Sequence, residues 1–351
     1  MDATTQRFAR QMNDGPKAAL AEQADLSATT RRIREVLSKA VACEPQVIQI
    51  VLAVLLAEGH LLVEDVPGVG KTTLAKALAH AIDCRVGRVQ FTPDLLPSDL
   101  TGGSIYRATT SEFEFRPGPI FNNIVIADEI NRASSKTQSA LLEAMEERHA
   151  TIEGVTHLLP RPFLVVATQN PVELEGTYPL PEAQRDRFLA RIEIGYPRPE
   201  AELELLDRAP NAVELIKPVT SAAELAGLIT QTEQIHAATA AKRYVLDLVH
   251  ATRQHRDVRL GASPRASINL LRTAKAVAAM DGRGFVLPDD VQLVAVPVLA
   301  HRLIMTADAR MANVTAANVV AEIVQTTPIS QANPESAKIR RISAAMLKRA
   351  S

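Results

Sequence analysis

The spacing of apolar residues changes character along the chain, and the change divides it. From Thr29, "TRRIREVLSKAV" places its apolar residues at helical intervals, and after Pro45 the run from Val47 to Ala57 predicts a second, buried helix. "HLLVED" (His60 to Asp65) is a short apolar run ending at a Gly/Pro turn, as expected of a buried parallel strand. "KTTLAKALAHAI" then reads as a helix and "RVGRVQF" as a strand. "NNIVIADE" (Asn122 to Glu129) shows no polar alternation, which predicts a strand covered on both faces, and the helix "SSKTQSALLEAMEERH" follows it. "ATIEGVTHLLP" (Ala150 to Pro160) predicts a small hairpin turning at Glu153-Gly154. "RPFLVVATQNP" is another buried strand, and "ARIEIGYPRP" closes the series at Pro197 and Pro199.

Beyond residue 200 the strand signals vanish. "EAELELLDRA", "SAAELAGLITQTEQIHAAT", "AKRYVLDLVHATRQHR", "PRASINLLRTAKAVAAM" and "PDDVQLVAVPVLAHRLIM" all carry helical periodicity. Strands alternating with helices predict an α/β fold with a parallel sheet, and the later block predicts a separate all-α domain. Residues 1–28 read as a polar, Ala-rich tail, and residues 311–351 carry weak helix signals that define no element.

Bulk properties change this picture little. The length of 351 residues suits two or three domains. With 39 basic against 40 acidic residues the net charge is −1, without the surplus that nucleic-acid or anionic-membrane ligands usually require. Cys43 and Cys84 form no disulfide or metal spacing. The N-terminus lacks the apolar segment of a secretory signal, and the longest apolar run falls short of the ~20 residues that span a bilayer. A cytoplasmic protein without membrane insertion is expected.

The chemistry concentrates in "EDVPGVGKTT", Glu64 to Thr73. It matches the phosphate-binding loop G-x-x-x-x-G-K-[ST] at Gly70, Lys71 and Thr72, with Asp65 in place of the first glycine. Amides of Gly68, Val69 and Gly70 would face phosphate oxygens, Lys71 would reach the β- and γ-phosphates, and Thr72 would ligate Mg²⁺. The first glycine serves backbone geometry, and Asp tolerates unusual backbone angles better than most residues, so Asp65 is expected to be compatible with the loop. At the end of "IVIADE", Asp128 would hold Mg²⁺ and Glu129 would activate water, in the place where parallel sheets gather ligands. Asn170 ends the next strand, where its amide could orient the same water, although Asn-Pro is also an ordinary turn. Arg187 could stabilise transition-state charge or pair with Asp186 on the surface. Arg265 follows Ser263 and Pro264, a good helix cap and first helical position.

Four blocks, "EDVPGVGKTTLAKALA", "ADEINRASSKTQSALLEAMEE", "ATQNPVELEGTYPLPEAQRDRF" and "GASPRAS", together resemble the MoxR family of AAA+ ATPases over about residues 29–310. The resemblance implies a P-loop NTPase core over residues 29–198 and a helical lid over residues 199–310. Within the core it implies a helix 2 insert over about residues 101–121, "TGGSIYRATTSEFEFRPGPIF", and a hairpin over about residues 150–160. It implies ATP and Mg²⁺ as cofactors. Asp65, Val66, Pro67, Gly68, Val69, Gly70, Lys71, Thr72 and Thr73 would bind the nucleotide, with Val41 near the adenine. Thr72 and Asp128 would hold the metal, Glu129 would be the base, and Asn170 would be sensor 1. Arg187 would be the finger acting on a neighbouring subunit, with Arg185 the alternative, and Arg265 would be sensor 2. The segment Val41-Ala42-Cys43 departs from the family's usual Val-Gly-Gln and touches base selectivity. The family also implies a homo-oligomeric, hexameric ring that remodels or matures a client protein. A partner with a von Willebrand factor A domain and metal-cofactor insertion belong to the same expectation. Two other classes compete: a DNA translocase like the MCM helicases, which share the insert and hairpin, and a nucleotide-gated scaffold with little turnover. The predicted hairpin tip, Glu153 to His157, has no lysine or arginine to grip phosphate.

Overall fold

A computed structural model of the chain describes residues 25–66, 68–109, 111–170, 178, 180–206 and 212–329. Pro67 therefore lies outside the described residues, as do residues 1–24 and 330–351 of the two expected tails. The expected N-terminal tail shortens, because α1 (residues 25–40) is already helical at residue 25. Its Leu26, Ile33 and Leu37 are buried, and Ser27 Oγ donates to Met280 O at 2.8 Å. α2 (Pro45–Leu56) starts on proline, which is preformed for a first helical turn, and buries Ile48 and every residue from Ile50 to Leu56.

The core alternates as the pattern predicts: β1 (Leu61–Glu64), α3 (Lys71–Ala81), β2 (Val86–Gln90) and α4 (Pro97–Thr101) come first. A hairpin of β3 (Gly102–Arg107) and β4 (Glu112–Pro117) follows, then β5 (Ile124–Asp128) and α5 (Ser135–Glu147). The second hairpin pairs β6 (His149–Ile152) with β7 (Val155–Leu158), and β8 (Leu164–Gln169), α6 (Glu182–Arg185) and β9 (Ala190–Ile192) complete the core. Five parallel strands run in the order β2-β5-β8-β1-β9. Alternate residues of the central strands enter two different cores. Leu61, Val63, Ile124, Ile126, Leu164 and Val166 pack with α2, α3 and the lid, while Leu62, Val125, Ala127, Val165 and Ala167 pack with α4 and α5. This double coverage explains why the strands lack polar alternation.

The two hairpins form one platform. His157 stacks on Phe115 at 4.1 Å between centroids and meets Phe121 edge-on, and Ser104 Oγ donates to Glu153 Oε2 at 2.6 Å. Tyr106 and Phe113 pair beside it and remain exposed, as do Val155 and Leu158.

The lid comprises α7 (Pro199–Leu206), α8 (Ala222–Glu233), α9 (Thr239–Gln254), β10 (Val258–Leu260), α10 (Pro264–Met280) and α11 (Pro288–Leu299). β11 (Ile304–Met305), α12 (Ala307–Met311) and α13 (Ala316–Thr326) follow. It is helical, as the periodicity predicts, with two additions. β10 and β11 make a short antiparallel ribbon, and α13 buries Val319, Val320 and Ile323 in the common core, so part of the expected C-terminal tail packs with the lid. No helix among the described residues is long and apolar enough to cross a membrane.

Candidate functional site

The loop after β1 turns on glycine. Gly68 and Gly70 carry φ of +90° and +92°, a region that side-chain-bearing residues rarely enter, and α3 begins directly after Gly70 at Lys71. A Cβ on Gly68 would meet nothing within 4 Å, so the positive φ, not crowding, is what calls for glycine there.

Asp65 fits this loop for a different reason from the one the sequence suggests. It is not among the residues with positive φ; its carboxylate instead makes backbone contacts. Oδ1 accepts the N–H of Val66 at 2.8 Å, and Oδ2 accepts the N–H groups of Ile194 and Gly195 at 2.7 Å each. Asp65 thus ties the start of the loop to the chain leaving β9. Its carbonyl oxygen also accepts from Lys71 Nζ at 2.5 Å. Burial lowers the Lys71 ammonium's pKa, opposed by the charges of Asp65, Asp128 and Glu129.

Strand ends bring the acids to the same place. Asp128 is the last residue of β5 and is buried; its Oδ2 accepts from Arg88 Nε at 2.7 Å. Glu129 leaves the strand at φ +56° and enters a single 3₁₀ turn, Ile130–Arg132. Two side chains hold its carboxylate: Gln90 donates at 2.8 Å, and Arg132 pairs at 2.9 Å. Thr168, on the neighbouring β8, joins both acids. Its Oγ1 accepts the Glu129 N–H at 3.0 Å and donates to Asp128 Oδ1 at 3.4 Å. Asn170, buried just past β8, completes one wall.

Together Gly68, Gly70, Lys71, Thr72, Asp128, Glu129 and Asn170 line a cleft of about 320 Å³, with Thr73, Arg88, Gln90 and Thr168. The donor set suits the expected cofactors. Two hard oxygen donors, those of Thr72 and Asp128, line the cleft beside the loop and would suit Mg²⁺ held mainly through phosphates rather than by a protein cage. No group of three His, Cys, Asp or Glu among the described residues makes such a cage. Val41 is buried 3.9 Å from the position of a Cβ on Gly70, which places it against the loop. Nearby Cys43 has its thiol pushed up to about 11 by burial and by Glu44, so it stays neutral.

The two arginines lie elsewhere. Among the described residues the cleft's lining comes from the core alone, and neither Arg187 nor Arg265 belongs to it. They meet on Glu146, near the end of α5: Arg187 Nε lies 2.8 Å from Oε2 and Arg265 Nη2 2.5 Å from Oε1. Burial pushes the Glu146 carboxyl up, but hydrogen bonds and charge from Arg265 and Arg187 outweigh it and hold it below the ordinary range. Arg187 does not pair with Asp186, whose carboxylate takes Arg302 and Ser263 instead. Ser263 stands at the N-cap of α10, yet its hydroxyl caps nothing and reaches Asp186 at 3.0 Å.

Sequence reasoning missed Arg88, Gln90, Thr168, Glu146 and Arg302. A signal existed for two of them: Arg88 and Gln90 are alternate polar residues in "RVGRVQF" and so share one face of β2, which pairs with β5. The others have no local pattern that separates them from ordinary strand or helix positions.

The family described as ATPase family associated with various cellular activities (AAA) matches residues 60–190, and the AAA lid domain matches residues 250–323. The chain is 47% identical over 312 residues to the uncharacterised protein YeaC of Bacillus subtilis, covering 88% of this chain and 98% of YeaC. It is 42% identical over 329 residues to Chaperone MoxR1 of Mycobacterium tuberculosis, covering 91% and 86%. A crystal structure of a Cytophaga hutchinsonii protein described as an ATPase superposes with a TM-score of 0.84 at 38% identity, covering 90% of this chain and 99% of that one.

Proposed function

Since the chain belongs to the MoxR family of AAA+ ATPases, we propose that it hydrolyses ATP to remodel or mature a client protein. The observation that carries this reading is the convergence of Lys71, Thr72, Asp128, Glu129 and Asn170 on one cleft at the ends of parallel strands. Bound ATP with Mg²⁺ supplies the scissile phosphoanhydride and neutralises charge on its phosphates.

The chain's own groups do the rest. Loop amides and Lys71 hold the phosphates, Thr72 and Asp128 hold the metal, and Asn170 orients the attacking water. Glu129 takes a proton from that water once its carboxylate leaves Gln90 and Arg132. Arg187 lies outside its own subunit's cleft lining, which favours action on a neighbour in a ring, the hexamer of the family expectation. Arg265, on the lid, shares the core's Glu146 with it and, as sensor 2, would act on the same side.

Client remodelling is favoured over DNA translocation by the surface of the hairpin platform. Its exposed residues include Tyr106, Phe113, Val155 and Leu158, and Arg107 is ion-paired with Glu114, a surface suited to polypeptide rather than phosphate. Chaperone MoxR1 carries that role in its name, and a von Willebrand factor A-domain partner and metal-cofactor insertion fit the same reading. Lys71→Ala should abolish tight ATP binding, while Glu129→Gln should bind ATP without releasing phosphate. Wild type that binds ATP without turnover would make the protein a nucleotide-gated scaffold instead, and retained turnover in Glu129→Gln would remove it as base.

A further inference from the structure

Arg302 sits in the lid, in the 3₁₀ turn Ala300–Arg302 that follows α11, and its side chain is 2% exposed. The guanidinium crosses into the core and grips one short segment. Nε donates to Asp186 Oδ1 at 2.7 Å, and Nη2 donates to Phe188 O at 2.6 Å and Asp186 O at 3.2 Å. Nη1 donates to Leu189 O at 3.2 Å and to Val298 O near the end of α11. All five donors of the planar fork are thereby engaged, which leaves it no alternative orientation.

The core-side contacts fall on residues 186, 188 and 189. They bracket Arg187 and leave that residue's own side chain outside the grip, on Glu146. A second lid residue, Ser263, holds the other oxygen of Asp186. A third, Arg265, meets Arg187 through Glu146. An arginine serving only to cement two domains could contact any part of their interface. This one fixes the backbone on both sides of a single half-buried arginine.

We propose that Arg302 is a positioning residue for Arg187: through Asp186 and the carbonyls of Phe188 and Leu189, the lid sets where the finger points in the neighbouring subunit's cleft. This rests on the reading of Arg187 as a finger acting in trans. Misplacement of a catalytic group by about 1 Å lowers rate by roughly 100-fold, so loss of the fork should act on turnover and not on ATP affinity.

The test uses full-length protein, ATP binding, steady-state turnover and mixing with Glu129→Gln subunits, which cannot hydrolyse but offer an intact Arg302 and Arg187. Arg187→Ala should be inactive alone and regain turnover in the mixture; without that rescue the finger reading fails, whatever Arg302 does. With that rescue seen, Arg302→Lys, which keeps charge and loses the fork, should lose about 100-fold in kcat at unchanged ATP Kd and also regain turnover on mixing. Normal kcat, weakened ATP binding, or no rescue would each overturn the positioning role while leaving the finger intact. Should Arg302→Lys fail to fold, Asp186→Asn serves: a smaller kcat loss rescued in the same way supports the proposal, and wild-type turnover rejects it.

Discussion

The Asp65 carboxylate accepts the backbone N–H of Gly195 at 2.7 Å, joining two segments 130 residues apart. One oxygen serves both Gly195 and Ile194, and the other serves Val66, so the side chain fastens the entry of the glycine-turned loop after β1 to the chain leaving the sheet's edge strand. Where the loop pattern calls for glycine, this chain carries a tether.

Restoring the pattern with Asp65→Gly should therefore weaken the protein. Each hydrogen bond to a charged acceptor contributes about 1.5–3 kcal/mol, so a net loss of ~2 kcal/mol is expected after relaxation and solvation of the freed amides. ATP binding should survive, because the amides from Gly68 onward remain. Urea unfolding checks the first statement and calorimetric ATP titration the second; an unshifted unfolding midpoint would mean the tether carries no stability.

Thr168→Val keeps the shape of the side chain and removes the hydroxyl that bridges Asp128 and Glu129. The Glu129 N–H then loses its partner, at a cost of about 1–3 kcal/mol. Turnover should fall while ATP affinity changes little, since the strained backbone that aims Glu129 is released. Equal kcat in the two proteins would contradict this.

Stability should depend on acid through His60. Its ring is fully buried: Nδ1 accepts the Val165 N–H at 3.0 Å, and Nε2 faces Met145 O at 3.1 Å. Burial, then the charge of Arg148, pushes its pKa down to about 3. The folded pKa lies below the unfolded value of about 6.5, so the stabilisation is complete above pH 6.5 and fades as pH falls toward 3. One such group contributes a slope of up to ~1.4 kcal/mol per pH unit. His301, buried with its pKa also lowered by burial and by Arg302, acts with the same sign. Unfolding free energies between pH 7.5 and 5 should show this slope, and His60→Asn should remove one group's share.

If Arg187 completes a neighbour's site, specific ATPase activity should rise with protein concentration, and Arg187→Ala should lower kcat by about 10³-fold or more. Activity independent of dilution across the range where assemblies dissociate, followed by sedimentation, would show a site complete within one subunit.

The cleft was legible in the sequence because its parts are local. The loop, the acids of "IVIADE" and Asn170 each sit at the end of a strand whose apolar run is unmistakable, and a parallel sheet brings such ends together. What stayed hidden depends on distant pairing. Asp65 looked like a backbone matter because Gly195 lies so far along the chain, and Ser263 looked like a cap because its partner Asp186 belongs to the other domain. Arg302 resembled any polar residue at a helix end. The β10–β11 ribbon escaped notice for a simpler reason: strands of three and two residues are too short to show alternation.

Helix α5 joins several of these features. Thirteen residues make it a strut about 20 Å long. Its first turn follows directly on the Glu129–Arg132 segment at the cleft, and Glu146, with its two arginines, lies next to its last residue. The chain then enters β6 without a linker beyond Arg148, and His157 locks that hairpin to its neighbour. The hairpin platform and the Glu129 turn therefore stand at opposite ends of one helix, and the seat of Arg187 lies at the platform's end of it, so the cleft's acid and the finger share a single spacer of fixed length.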